Sequence, residues 1–289
     1  MCERDQFSAI NRPVSRRQFG ALGAAGAVAA CAPMEPMDTE AIGLVERQVN
    51  FAADGGTMDG VFIHSASRSA PAAILWPDIA GLRPAKIQMG RRLAESGYSV
   101  LVPNPYYRSV AGQQFEDFSD WRNNDGWERV TPWREVNTPQ AIMATARSVA
   151  SWLDDQDAVD TNKGIGNLGH CMTGSWTIYC AHAVPDRIKA AASFHSGGLT
   201  RGEDMAPVNL LGDLPADSGV HIGIARDDNA SSEGMKEELE AAAAAASADV
   251  SVELYDGDHG WTVLDSPAYA RDPAERAWNN LLALFSRTL

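Results

Sequence analysis

From about residue 46 onward, short runs rich in Val, Ile, Phe and Ala alternate with longer stretches whose apolar residues recur every three to four positions. The short runs predict strands at 47–52, 59–64, 72–77, 98–103, 164–169, 189–195, 219–225 and 250–255. The longer stretches predict helices over 84–96, 138–154, 172–183, 232–247 and 267–286. The last two are read from Glu237-Glu238-Leu239-Glu240 with the alanine run behind it, and from the spacing of Trp278, Leu281, Leu282 and Phe285. Strands and helices in this order specify an α/β protein with a mainly parallel sheet of about eight strands and helices on both faces. We find no internal repeat.

One long segment, between strand 98–103 and helix 138–154, carries Tyr106, Tyr107, Phe115, Phe118, Trp121, Trp127 and Trp133. Long loops inside compact domains usually serve function, and aromatic side chains line most small-molecule pockets. The segment is either a roof over a site or a satellite core cluster.

The chain ahead of residue 46 has a different character. Residues 15–20, Ser15-Arg16-Arg17-Gln18-Phe19-Gly20, precede a small apolar run, Ala21 to Ala30, that is too short to span a bilayer. This order matches a twin-arginine export signal, whereas a basic tail before an alanine-rich helix is the plainer alternative. The run ends in Val28-Ala29-Ala30-Cys31, which resembles a lipobox with Cys31 as the lipidated residue; Ala27-Val28-Ala29 also fits ordinary signal cleavage. The expected division is 1–31 signal peptide, 32–45 linker with two prolines, and 46–289 catalytic domain. The expected partners are the export machinery and, through lipid on Cys31, a membrane. The expected location is the periplasm or its membrane face.

Composition narrows the function. The 289 residues hold 45% hydrophobic and 21% charged side chains, ordinary for one globular domain. Beyond residue 31 there remain 20 basic against 36 acidic residues, a surface that repels phosphate backbones, so nucleic acid is excluded as an expected partner. Cysteines at 2, 31, 171 and 180 follow no disulfide-scaffold or C-x-x-C spacing, and the six histidines form no H-E-x-x-H cluster. No metal or other cofactor is expected.

Gly164-Ile165-Gly166-Asn167-Leu168-Gly169 matches the G-x-G-x-x-G pattern of dinucleotide-binding enzymes, with Asp186 placed as a ribose-binding acid. That fingerprint needs an apolar strand before its first glycine. Here Asp154-Asp155-Gln156-Asp157 and Asp160-Thr161-Asn162-Lys163 stand there, so Ile165 and Leu168 belong to the strand itself. The strand then runs into Gly169-His170-Cys171-Met172-Thr173-Gly174 and a helix, the order of a nucleophile elbow. Such a turn strains its central residue and needs small neighbours; Gly169 qualifies, while Thr173 departs and is followed by Gly174. A thiol at a helix amino end is favoured as thiolate. A buried, inert cysteine is the other reading of Cys171.

Several ordered blocks resemble the dienelactone hydrolase family, whose cysteine turn has the form G-Y-C-x-G-G. They are Leu75-Trp76-Pro77-Asp78-Ile79-Ala80-Gly81, Ser96-Gly97-Tyr98 with Val102-Pro103-Asn104-Pro105-Tyr106-Tyr107-Arg108, the cysteine turn, Ala192-Ser193-Phe194-His195-Ser196-Gly197-Gly198-Leu199, and Asp258-His259-Gly260-Trp261. The resemblance runs from about residue 50 to the C-terminus and implies an α/β-hydrolase fold that cleaves an ester or lactone. Chain order in that fold places nucleophile, acid and histidine successively, which implies a Cys171–Asp228–His259 triad, with Asp227 as the alternative acid. It also implies an oxyanion hole of the Ile79 and Met172 amides. Asp78 stands where the family carries a glutamate close to the cysteine, either managing the thiol proton or holding a turn. His170, His195, Arg108 and Trp261 are the expected accessory or pocket residues, with packing as the other role for the histidines. The family's arginine a few residues past the histidine is missing, since Thr262-Val263-Leu264 follows Trp261. Two other classes stay open: a thiol-based redox protein with Cys171 as the reactive thiol, and a non-catalytic periplasmic binding protein.

Overall fold

Residues 43–289 are described in a computed structural model. The signal, the lipobox at Cys31 and nearly all of the 32–45 linker lie outside the described residues. Eight strands form one sheet: β1 (Leu44–Ala53), β2 (Gly56–Ser65), β3 (Ala72–Trp76), β4 (Ser99–Pro103), β5 (Ile165–His170), β6 (Ile188–Phe194), β7 (Gly219–Ala225) and β8 (Asp249–Tyr255). Their order is β1-β2-β4-β3-β5-β6-β7-β8. β2 pairs antiparallel with both β1 and β4, and every other pairing is parallel.

The helices are α1 (Pro84–Glu95), α2 (Phe118–Asn123), α3 (Gly126–Glu135), α4 (Pro139–Asp154), α5 (Gly174–Ala183), α6 (Pro207–Leu210), α7 (Arg226–Ser231), α8 (Met235–Ala245) and α9 (Arg271–Thr288). Local chemistry explains where α4 starts. Thr138 caps α4 by accepting the Ala141 N–H, and Pro139 fills the first position, where no N–H is needed.

The side-chain period of two sorts the strands between two cores. Ala72, Ile74 and Trp76 of β3 join the core under α4, α5 and the aromatic segment, whereas Ala73 and Leu75 join the core under α1 and α9. Strands buried on both faces are therefore apolar almost throughout. The 106–135 segment contains α2 and α3, which the apolar pattern did not reveal because both are short and α3 holds Pro132. Its Tyr106, Tyr107, Phe115, Phe118 and Trp121 are buried in the first core, and Trp127 and Trp133 pack against it. The C-terminal helix starts at Arg271, four residues later than expected, so 256–270 is a loop beyond β8.

The glycine pattern of β5 serves close packing. A Cβ on Gly166 would sit 2.6 Å from the Phe285 ring of α9, and one on Gly164 would sit 2.8 Å from Lys189. Gly166→Ala is therefore expected to cost about 1–3 kcal/mol by overpacking. For a domain of this size that lowers the melting temperature by roughly 2–12 °C. Adding Phe285→Leu should recover part of the loss in a thermal melt, and equal, additive losses would contradict the contact.

Candidate active site

β5 ends at His170, Cys171–Thr173 form one tight helical turn, and α5 begins at Gly174. The turn is closed so tightly that a Cβ on Gly169 would lie 2.1 Å from the Thr173 carbonyl oxygen, and one on Gly174 would lie 2.5 Å from Ser196. Thr173 is accommodated because its hydroxyl is used: it donates to the Trp76 carbonyl (3.0 Å) and accepts the His170 N–H (3.1 Å). Cys171 is left at φ 55°, left-handed and buried. Such a conformation costs a non-glycine residue about 1–3 kcal/mol and persists only where the surroundings enforce it. His195, at the end of β6, is also left-handed at φ 40°. Both line one small cavity with Asp78, Phe118, His259 and Val263.

The loop after β8 brings His259 to this cavity, and α7 brings its partner. His259 Nδ1 lies 2.8 and 3.0 Å from the two Asp228 carboxylate oxygens, with both side chains buried. This fixes Nδ1 as the protonated nitrogen. Asp227 holds the backbone instead: its Oδ1 accepts the N–H of His259 (2.8 Å) and of Asp228 (3.0 Å). Burial and the neighbouring Asp228 push its carboxyl above the usual range, against the His259 hydrogen bond.

Asp78 also lines the cavity, within a buried ion cluster. Arg83 donates to Asp78 Oδ1 and Oδ2 at 2.8 and 3.0 Å, Lys86 Nζ lies 2.9 Å from Oδ2, and the Ala80 N–H donates to Oδ1 at 2.9 Å. Arg83 reaches onward to both oxygens of Asp265 (2.8 Å each), and Asp265 accepts the Phe118 N–H at 3.0 Å. Burial alone would raise the Asp78 pKa. The charges of Arg83 and Lys86 and their hydrogen bonds outweigh it and hold the carboxyl well below the carboxylate range. Asp78 is thus held as an anion by its two cationic partners and also serves the turn by accepting the Ala80 N–H.

Arg83, Lys86 and Asp265 escaped the sequence reading. Their one signal was two cations at the amino end of α1, where the helix dipole disfavours them and an anion must compensate.

The other expected residues separate. His195 is fully buried, its Nε2 is 2.8 Å from Thr262 Oγ1, and its ring meets that of His259 at 5.0 Å, edge to face. Burial, with the neighbouring His259, pushes its pKa well below the ordinary value. His170 lines a different cavity, of about 490 Å³, between α1 and α9. Burial keeps it neutral too. Trp261 is a core residue stacked on Tyr255. Arg108 stands apart, bound to Asp54, the Ala141 carbonyl and Thr145, because its stem leaves the β4 end toward the β1–β2 turn. Ile79 and Met172 are buried beside Asp78 and Cys171, and Tyr106 ties them together: its hydroxyl donates to the Ile79 carbonyl (2.7 Å) and lies 3.6 Å from the Met172 sulfur. Cys180 is buried in α5, where burial pushes its thiol pKa up. Among the described residues no group of three or more His, Cys, Asp or Glu is arranged to hold a metal ion, and no helix is long and apolar enough to cross a membrane.

An eight-stranded, mostly parallel sheet with helices on both faces and these loops gathered at its carboxyl edge is the α/β-hydrolase fold. A model of the dienelactone hydrolase family matches residues 58–289, so the chain belongs to that family and is a hydrolase of the ester- and lactone-cleaving kind. A carboxymethylenebutenolidase from Rhodococcus opacus is 28% identical over 137 residues, which span 47% of this chain and 48% of that one, about half of the relative's length. The dienelactone hydrolase from Anabaena variabilis has the same fold at TM-score 0.60 and 12% identity, over 85% of this chain and 99% of that one. A dienelactone hydrolase-like promiscuous phosphotriesterase from metagenomic libraries gives a TM-score of 0.61 at 19% identity, over 85% and 98%.

Because the Asp78 pKa is depressed by folding, its stabilisation is complete above the pKa of an unfolded carboxyl, about 4, and drains away as the pH falls below that. Asp78→Asn should lose about 3–5 kcal/mol at pH 7 by leaving two buried cations short of an anion, with Lys86→Met restoring part. Melting curves from pH 7 to 3 test this: the variant should lose less on acidification than the native chain, and parallel curves would refute the assignment.

Proposed function

We propose that the chain hydrolyses an ester or lactone through a Cys171–His259–Asp228 triad. One observation carries the reading: a buried imidazole–carboxylate pair opens onto the same cavity as a cysteine held left-handed at the strand-to-helix turn. His259 takes the Cys171 thiol proton, the thiolate sulfur attacks the carbonyl carbon, and the carbonyl π electrons move to oxygen, where the Met172 and Ile79 amides receive the oxyanion. Collapse breaks the bond to the leaving oxygen, which takes a proton from His259 and leaves a thioester on Cys171. His259 then draws a proton from water, hydroxide adds to the thioester, and the acid departs as the thiol re-forms.

Asp228 keeps the imidazole in the right tautomer and stabilises the imidazolium, while Asp227 anchors the loop that carries it. Asp78 acts as a fixed charge that organises the surrounding loops. A thiolate leaves more readily than an unprotonated amine, which favours esters, lactones and thioesters as the substrates. The family relationship and the carboxymethylenebutenolidase name of the Rhodococcus relative support this class. With Thr262-Val263-Leu264 where the family has an arginine, dienelactone itself is not the proposed substrate. A redox role draws no support from Cys180, which is sealed in the core with a raised pKa. Export by the twin-arginine route, with lipid on Cys31, is the proposed location, resting on the 15–31 motif.

Two outcomes are expected. On p-nitrophenyl acetate, Cys171→Ala should abolish turnover with little change in melting temperature. Asp228→Asn should lower kcat/KM by up to about 10⁴-fold, whereas Asp227→Asn should stay within about tenfold, since only the former presents the wrong group to the ring. Greater damage from Asp227→Asn would move the acid by one residue. For location, Arg16→Lys with Arg17→Lys should leave the protein in the cytoplasm, and Cys31→Ser should release it from the membrane fraction. A mature N-terminus that starts at Ala30 without lipid, seen by mass spectrometry, would end the anchoring proposal.

A further inference from the structure

The cavity shared by Cys171 and His259 is far too small for the body of a substrate. A second cavity, of about 540 Å³, lies on the α4 and α5 side of the sheet, within the roughly 300–1,000 Å³ of sites that hold drug-sized ligands. Its apolar walls are Ile142 of α4, Trp176 and Tyr179 of α5, Met205 and Met172, and Arg134 and Arg201 line it as well. Met172 immediately follows the nucleophile and is pinned by the Tyr106 hydroxyl at its sulfur.

Proton transfer sets which part of an ester faces this cavity. The leaving oxygen takes its proton from His259, so the leaving group must lie on the His259 side. Cys171, His259 and His195 all line the small cavity and none lines the large one, which the chain reaches from the cysteine through Met172. The acyl group therefore has to extend the other way, past Met172.

We infer that the 540 Å³ cavity is the acyl pocket and Met172 its gate, so that the preferred substrate is an ester with a large apolar acyl group rather than a small polar lactone. This rests on the triad reading above. Methionine suits a gate because its unbranched thioether changes rotamer at little cost, and the contact that holds it, hydroxyl to sulfur, is weak.

The experiment pairs turnover with binding. Along p-nitrophenyl acetate, butyrate and hexanoate, kcat/KM of the native chain should rise by up to about fourfold per methylene, chiefly through KM. Ile142→Trp, which fills the far wall away from the reacting groups, should cut hexanoate turnover by at least about tenfold while acetate stays within about threefold; retained acetate turnover certifies the fold. Met172→Ala should favour benzoate over acetate by about tenfold relative to native, and Met172→Leu should keep the native order. In the Cys171→Ala protein, calorimetry should find ethyl hexanoate bound at least about tenfold more tightly than by Cys171→Ala with Ile142→Trp. A slope that survives Ile142→Trp overturns the pocket assignment. A slope that follows the alcohol chain, in ethyl against hexyl acetate, and vanishes in that variant overturns the acyl orientation. Absence of all turnover together with length-dependent binding would sink the triad while the pocket stands.

Discussion

Everything at the catalytic edge depends on how closely β5 and α5 approach through one turn. With 2.1 Å between the Thr173 carbonyl oxygen and any Cβ at position 169, the chain has no room for a side chain there, and the left-handed conformation at Cys171 is the geometry that closes the gap. The constraint is local in sequence but not in space. It holds only because the Thr173 hydroxyl ties the turn to the Trp76 carbonyl at the end of β3, the strand hydrogen-bonded beside β5. The strain at Cys171 is thus borne by the middle of the sheet, the part least able to relax.

A second tie secures the loops around that turn. Arg83 spans two carboxylates, Asp78 after β3 and Asp265 in the loop that carries His259, and Asp265 in turn holds the first amide of α2. A buried cluster of this kind adds little net stability compared with apolar packing, because the desolvation of its charges offsets their attraction. What it adds is directionality. The guanidinium fork meets each carboxylate with two hydrogen bonds and so sets the relative position of three segments that share no backbone pairing. Fixing those segments keeps Phe118 and His259 on the walls of one cavity with Cys171.

Strands β3 to β8 were legible to within one residue, and β1 and β2 to within three, because a central strand buries both faces and so writes itself as an unbroken apolar run, as in Ala72-Ala73-Ile74-Leu75-Trp76. Likewise the Cys171 turn was read from its strand-to-helix glycine pattern and Asp228 and His259 from chain order, which the sheet topology translates into neighbouring strand ends. The failures share a physical cause. α2 and α3 are too short and too aromatic for a helical period to show, and their burial comes from long-range packing. Lys86 and Arg83 look like surface residues until partners far along the chain, such as Asp265, are brought to them. His170 and Arg108 follow from direction: alternation along β5 sends the His170 ring to the α1 and α9 face, away from the cavity under Phe118.

The two faces of the sheet thereby divide the work. The groups proposed for bond making, Cys171, His259 and the amides after β3 and β5, sit on strand ends whose positions are fixed by hydrogen-bonded register and by the Arg83 ties. The walls of the large cavity come from side chains of α4, α5 and the segments around Arg134 and Met205, which lie outside the backbone pairing of the sheet. Packing contacts tolerate substitution of similar volume with small cost, whereas the turn at Gly169 tolerates none. On the proposed reading, backbone geometry holds the reacting groups, and the choice of substrate is left to side chains such as Ile142 and Met172.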